Sequence, residues 1–467
     1  MQGTPHNTYG GDGAAPITAP HSGARNINAR GGHIGHIDPG EIAVGVVIGR
    51  ASEYFDFFVY AIASVLVFPA VFFPFADRLE GTLYSFAIFA LAYVARPIAS
   101  LVFMAIQRHY SREIKLTIAL FLMGSATVAI SMLPTYSRWG EWSIVALALL
   151  RIGQGVAQGG SWDGLPSLLA LNAPQNKRGW YAMLGQLGAP TGFIIAAGLF
   201  SYLIAQLSSD DFLVWGWRFP FYVAFAINVV ALFARLRLVS TPEYTHLLDE
   251  HELDPAPARE VIGHQGANIV IGALAALASY ALFHLVTVFP LSWIQLYDTR
   301  SMADFLQVQM MGAGLGIVGV LASGLIADKF GRRNTLGTLA VLIAFFAGFI
   351  PRLIDGGEAG QNAFILIGFL LLGLSYGQAA GAVTSNFLPE YRYTGAALTS
   401  DVAWLVGAGF APLVALGLAA NYGLGYVSLY LLSGAVGSLA ALSLNRALEI
   451  RNRGETEAHA RAHPHHA

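Results

Sequence analysis

Long apolar stretches alternate with short polar breaks along this 467-residue chain. They lie near 43–68, 83–106, 116–133, 142–170, 180–205, 217–236, 266–293, 306–327, 335–353, 361–388, 395–419 and 424–445. A helix of about 20 apolar residues crosses the roughly 30 Å of bilayer hydrocarbon. These stretches are too long and too evenly spaced for helices buried in a soluble core. They predict an all-α polytopic membrane protein with twelve transmembrane helices. The longest internal break, 238–265, holds Pro242, Pro255 and Pro257 among the acids Glu243, Asp249, Glu250, Glu252 and Asp254. It follows the sixth stretch and predicts a linker between one six-helix bundle at 41–237 and another at 266–447.

Composition agrees with a lipid-facing chain. Hydrophobic residues make up 55% and charged residues 12%, against roughly a quarter charged in soluble domains. The 52 glycines suit close helix packing in lipid. A net charge of −2 gives no reason to expect nucleic acid as a partner. The absence of cysteine excludes disulfides and thiolate metal sites and leaves the redox compartment open. Residues 1–40 and 448–467 have no apolar core, which predicts a disordered tail at each end and no signal peptide. Their histidines are read as solvated rather than metal-binding, and no metal or cofactor is expected.

The basic residues orient the helices. Arg108, Arg112, Lys115, Lys177, Arg178, Arg235, Arg237, Arg259, Lys329, Arg332, Arg333 and Arg392 fall on one side, with Arg446, Arg451 and Arg453 in the tail. The other side carries only Arg78, Arg138, Arg218, Arg300 and Arg352, several beside acids. The positive-inside rule then places both termini in the cytoplasm. The halves also echo one another. FMAIQRHYSRE (103–113) occupies the place of SGLIADKFGRR (323–333), and NKRGWYAM (176–183) that of YRYTGAAL (391–398). Parallel repeats around a shared cavity are a transporter architecture.

Ionisable side chains inside spans are costly in lipid and so face a cavity or a partner. Glu53 and Asp56 lie three residues apart in GRASEYFDFFVY (49–60), and Arg96 precedes Pro97 in the second span. Arg151 opens RIGQG in the fourth, Asp163 lies farther along it beside Trp162, and Tyr280 and His284 sit at i,i+4 in the seventh. A cavity-facing Arg96 attracts a carboxylate or phosphate. Arg151 is expected to pair with Glu53 or Asp56, so that protonating the acid breaks the pair and couples transport to protons. The plainer reading makes these ion pairs permanent ties between helices. Tyr54, Trp162, Tyr280 and His284 are candidate substrate contacts, although Tyr54, Phe57, Phe58 and Tyr60 read equally as ordinary packing. Asp328, at the end of a span, is placed to meet a helix N-terminus or an arginine. With Gly324, Gly331, Arg332 and Arg333 it reads as a cytoplasmic clasp. The glycine sets at 312–319 and 377–381 are packing faces rather than phosphate loops, and no enzyme constellation is present.

In that order and spacing, ASEYFDFFVYA (51–61), YVARPIAS (93–100), RIGQGVAQGG (151–160), WGWRFPF (215–221), STPEY (240–244), ADKFGRR (327–333) and LPEYRYTGAAL (388–398) carry a family signature. Over roughly 41–447 the chain resembles the major facilitator superfamily, and within it the metabolite:proton symporters. The resemblance implies two six-helix bundles rocking about a midplane site. It implies first-span acids at Glu53 and Asp56, a carboxylate-recognising arginine at Arg96, the RxxQG arginine at Arg151, and a gating loop on Gly324, Asp328, Gly331, Arg332 and Arg333. Two departures stand out. In the first-half gating loop Arg108 occupies the usual place of an acid, with Arg112 and Lys115 keeping some basic charge toward lipid phosphates. Ser161 stands where the family carries a fourth-span glutamate, and Asp163 is about 200° around the helix from it. The function expected is secondary transport of a small organic acid or zwitterion, by proton symport, by a monomer in a bacterial inner membrane. A uniporter, an exporter of another solute and a non-transporting receptor are the alternatives.

Overall fold

A computed structural model describes residues 39–161, 173–239, 254–379 and 387–462. Twelve helical rods run through them, and no strand occurs among the described residues. The first six are α1 (Pro39–Leu66), α2 (Arg78–His109), α3 (Arg112–Met132), α4 (Glu141–Gly160), α5 (Arg178–Gln206) and α6 (Phe219–Val239). The others are α7 (Ala258–Tyr297), α8 (Met302–Phe330), α9 (Arg332–Ala347), α10 (Gly357–Ala379), α11 (Arg392–Tyr422) and α12 (Leu424–Ala462). Nine of them are long and apolar enough to cross a membrane among the described residues. The other three are α1, α4 and α9. The α1 helix is loaded with charge, α4 is interrupted by Arg151, Gln154 and Gln158, and α9 has only 16 residues.

The helix ends follow from local chemistry. The Asp77 carboxylate caps α2 by accepting from the Glu80 N–H, and Ser111 and Ser301 cap α3 and α8 in the same way. Gly331, at φ 83, turns α8 into α9 in a conformation that costs any side chain with a Cβ. Two spans are broken: α7 at Ala276 and Val288, and α11 at a π-helical turn, Trp404–Gly409, shortly before Pro412. The α12 helix continues beyond residue 447 to Ala462, through a stretch rich in Ala, Glu and Arg, all good helix formers.

Small residues set the helix spacing. A Cβ on Gly155 would lie 2.3 Å from the Ala92 carbonyl oxygen, and one on Gly159 would lie 2.5 Å from that of Arg96. Thus α4 rests backbone to backbone on α2 where α2 carries Arg96. In the second half Gly316 and Gly373 bring α8 and α10 together equally closely. The 312–319 stretch is therefore a packing face, as its glycine spacing suggests.

The turn after α7 is pinned by Asp298. Its carboxylate accepts from Gln361 Nε2 at 2.6 Å and from the Thr299 and Arg300 N–H groups at 2.7 and 3.1 Å. The Gln361 bond above all, then the two backbone donors, holds this exposed carboxyl below its ordinary range. A depressed acid stabilises the folded state above its unfolded pKa, and that contribution is lost as pH falls through the folded value. The melting-temperature gap between wild type and Asp298→Asn should therefore be steady near neutrality and shrink below about pH 4. A gap that does not change with pH would refute this role.

Candidate functional site

Where α1, α2, α3, α4 and α11 meet there is a cavity of about 50 Å³. This is room for a few waters, far below the roughly 300–1,000 Å³ of sites that enclose a drug-sized ligand. The site is thus contracted. Arg50, Glu53 and Arg96 supply its charge, and Tyr54, Phe57, Tyr93 and Trp404 its aromatic walls. Gln158 and Ser161 complete the α4 side. Arg96, Glu53 and Tyr54 thus come together as the sequence suggests. The Ser161 hydroxyl, which donates to the Gln158 carbonyl at 3.0 Å, faces the cavity at the position of the family's acid.

Arg96 is already neutralised. Its Nε donates at 2.7 Å to Asp401 Oδ1, on α11 in the second half. The carboxylate is buried, its side chain 3% exposed. Sequence reasoning missed Asp401, although an acid inside the predicted span 395–419 was the available signal. Glu53 is held by two guanidinium groups, Arg50 at 2.7 Å and Arg235 at 2.6 Å. Arg235, expected among the cytoplasmic loop charges, is instead buried, with its long side chain reaching back from α6 to α1.

Arg151 does not pair with either first-span acid. It donates to the Phe89 carbonyl at 3.2 Å and to Gln154 Oε1 at 3.0 Å, and its guanidinium carbon lies 4.0 Å from the Tyr60 ring centre and 4.7 Å from that of Phe89. Aromatic faces attract such a cation in a desolvated site. Asp56 is reached only through a chain. Gln154 Nε2 donates to Thr127 Oγ1 at 2.9 Å, and Thr127 donates to Asp56 Oδ1 at 2.7 Å. Glu53 and Asp56 thus join separate networks despite their i,i+3 spacing, Glu53 on Arg50 and Arg235 and Asp56 on Thr127.

Tyr280 and His284 do not line the cavity, contrary to their expected contact with substrate. Tyr280 packs its ring edge on Trp404 and Tyr376, at 5.0 and 5.7 Å between centroids. His284 is fully buried against Phe57 and Phe89, and its Nε2 lies 3.0 Å from the Tyr93 hydroxyl. Tyr54 and Tyr376 meet through their hydroxyls. The seam between halves is therefore aromatic and buried around these groups. Phe58 lines a separate apolar cavity with Phe193, Phe283 and Phe369. Trp162 and Asp163 lie outside the described residues.

The two corresponding loops, 103–113 and 323–333, make different contacts. Asp328 accepts from the Gly179 N–H at 2.6 Å and the Trp180 N–H at 3.2 Å, at the start of α5 in the other half. Gly324 lets the backbones approach, since a Cβ there would lie 3.0 Å from Trp180 Cα. Arg332 reaches Gln378 at 3.4 Å, and Arg333 bonds the Leu442 carbonyl. In the first half, Arg108 donates to the Ala256 carbonyl at 3.4 Å, and Arg112 lies 3.6 Å from Asp254. Lys115 is buried, donating to Gln107 and to the Tyr393 hydroxyl of α11, each at 3.0 Å. It is therefore a seam residue rather than a phosphate-facing one. On the opposite face Arg78 bonds the Gln295 carbonyl. The halves thus touch on both sides of the contracted cavity.

The sequence profile of the Major Facilitator Superfamily matches residues 54–412. The inner membrane metabolite transport protein YhjE of Escherichia coli K12 is 38% identical over 411 residues, covering 86% of this chain and 93% of that protein. The shikimate transporter of the same organism is 31% identical, covering 84% and 91%. A proline/betaine transporter of Salmonella typhimurium is 26% identical, covering 82% and 79%. Among solved structures, the xylose transporter XylE of Escherichia coli, in a partially occluded inward-open conformation, superposes with a TM-score of 0.65 at 18% identity, over 87% of this chain and 97% of that one. At that identity the likeness concerns the fold, twelve helices in two six-helix bundles.

Proposed function

This chain belongs to the major facilitator superfamily and is a multi-pass membrane transporter rather than an enzyme, and we propose that it moves a small organic acid or zwitterion by alternating access, in symport with protons. The observation that carries this reading is the Arg96 guanidinium on the cavity wall, held among the described residues by an acid from the opposite half. A fixed positive charge in a low-dielectric pocket selects a carboxylate, alone or within a zwitterion. The contracted cavity fits a carrier between its two open states, which must part the seam on one side to admit a solute. The relatives named as shikimate and proline/betaine transporters carry solutes with such a carboxylate.

Uptake of labelled shikimate and glycine betaine into proteoliposomes, with and without an imposed pH gradient, tests the reading. Accumulation that needs the gradient supports symport, and equilibration alone leaves a uniporter. The uniporter is the second reading, motivated by the Ser161 hydroxyl where the family carries an acid. Transport of neither solute nor of any other carboxylate in a metabolite panel would refute the assignment. Arg96→Ala should abolish binding of the carried solute, and unchanged affinity would remove Arg96 from the site.

The proposed setting is a bacterial inner membrane with both termini in the cytoplasm. The chain has no cysteine, so single engineered cysteines report sidedness without background. A membrane-impermeant maleimide added to whole cells should label Thr299→Cys and spare Lys329→Cys. The reverse pattern would invert the topology.

A further inference from the structure

We propose that Asp401 is the exchangeable counter-charge of the carrier: it binds the coupled proton when a substrate carboxylate takes its place on Arg96. The inference rests on the carboxylate reading above and assigns its coupling residue.

Geometry confines the choice. Asp401 is buried and its Oδ1 sits 2.7 Å from Arg96 Nε. The ion pair crosses the seam, from α2 in the first half to α11 in the second. Among the described residues, α2 brings Arg96 and the buried Tyr93, with the Ser100 hydroxyl as a further polar neighbour, and the buried Lys115 of α3 meets the Tyr393 hydroxyl two turns before Asp401 on α11. The α7 helix, packed on the same stretch, brings Arg259, Glu260 and His264, all exposed, and the buried Tyr280. The turn before α11 brings Glu390, exposed, and Tyr391, which stacks on His264. Arg96 is therefore the charge that Asp401 answers to.

Removing one partner of a buried ion pair is strongly destabilising, and so is setting a second unpaired acid beside it. Two arrangements keep that balance. In the empty carrier the pair is Arg96 with Asp401. In the loaded carrier it is Arg96 with the substrate carboxylate, and Asp401 is neutral because a proton from the entry side has bonded to its carboxylate oxygen. One ion pair breaks, another forms, and one O–H bond forms. For a monoanion the buried charge is the same before and after, and release on the far side reverses each change. One proton therefore accompanies each carboxylate. A monoanion crosses with no net charge at this site, and a zwitterion crosses with one positive charge.

The mounting of Asp401 suits such an exchange. Trp404, three residues on and so on the same face, forms the cavity wall. It opens the π-helical turn Trp404–Gly409, a break in regular helix geometry of the kind that recurs at functional sites. Gly407 and Gly409 of that turn lie against Tyr280 and Tyr93, where a Cβ would come within 2.5 and 2.8 Å of their Cβ atoms. A solute that displaces Trp404 thus acts on the segment that carries Asp401.

The test reads the proton on the whole carrier in lipid nanodiscs by infrared difference spectroscopy. Acidifying the empty wild type should build a protonated-carboxyl band. Asp401→Asn should lose the share of one carboxyl, and Arg96→Gln should shift that share to higher pH. Because Asp401→Asn leaves Arg96 unpaired and can misfold, the neutral double variant Arg96→Gln/Asp401→Asn must lose the same share. Identical bands in wild type and both Asn-bearing variants would overturn the proposal. In proteoliposomes, gradient-driven accumulation by wild type should fall to equilibration in Asp401→Asn, while exchange of labelled for unlabelled solute persists. Accumulation at wild-type levels in Asp401→Asn overturns the coupling role and leaves the transport reading intact. A wild type that carries no carboxylate overturns the transport reading itself.

Discussion

Asp328→Ala should raise amide hydrogen exchange across 178–184 by roughly a hundredfold and cut transport in parallel. The carboxylate accepts two backbone N–H bonds from the start of α5. Hydrogen bonds to a charged group contribute about 1.5–3 kcal/mol each, so losing both removes about 3–6 kcal/mol from the contact between the halves. Each 1.4 kcal/mol is about tenfold in population, which makes a hundredfold the lower bound. Asp328→Asn keeps an acceptor and should lose less. The first-half loop gives the contrast. Arg108 is exposed and holds one bond of 3.4 Å, to Ala256, so Arg108→Ala should change exchange by no more than about 0.5 kcal/mol. Equal effects at the two loops would sink the asymmetric clasp.

The second large effect is expected at Gly159. A Cβ there would meet the Arg96 carbonyl oxygen at 2.5 Å and the Ser100 nitrogen at 2.8 Å. Both are backbone atoms, which cannot rotate aside as a side chain can. Gly159→Val must push α4 off α2, and overpacking of this kind costs about 1–3 kcal/mol or more. The same shift moves Arg96 away from Asp401. Melting temperature and transport should fall together. Gly153→Ala is the control, because its Cβ would sit at an ordinary 3.7 Å from Ala126. A Gly159→Val carrier with wild-type melting and uptake would show that the helix contact does not position Arg96.

What was legible in the sequence was what depends on pattern. Apolar period and length marked the spans, and the glycine set at 312–319 marked a close helix contact. Asp328 at a helix end beside Gly331 foretold a bond to a helix N-terminus. Pairing was much less legible, because it depends on how far each side chain reaches and which way each helix turns. Arg151 was expected on an acid and lies instead among Tyr60, Phe89 and Gln154, since rings and carbonyls satisfy a buried guanidinium without leaving a sequence signal. Arg235 and Lys115 looked like loop charges because each lies within a few residues of a helix end. Their long stems carry the charge back inside, that of Arg235 onto Glu53 of α1 and that of Lys115 into the seam between the halves. Tyr280 and His284 share a helix face, but that face packs on Trp404, Tyr376 and Tyr93 rather than on the cavity. Asp401 was overlooked because its partner is about 300 residues away in the chain, a distance at which spacing rules carry no information.

The charge load of α1 also constrains how the protein is made. Arg50, Glu53 and Asp56 sit within two turns, and a charged residue at the centre of a lone inserted helix costs about 2.5–3.5 kcal/mol on insertion scales. Arg50 and Glu53 pair within α1, but the second guanidinium on Glu53, Arg235 of α6, and the hydroxyl that donates to Asp56, Thr127 of α3, are synthesised after α1. During translation α1 therefore has no stable place in lipid until later helices emerge. It must wait in the insertion machinery or enter together with α3 and α6. A nascent chain cut after α1 should fail to integrate, and one cut after α6 should resist alkaline extraction. The first helix of this carrier is thus among the last to settle, so biogenesis of the first half is a single cooperative event.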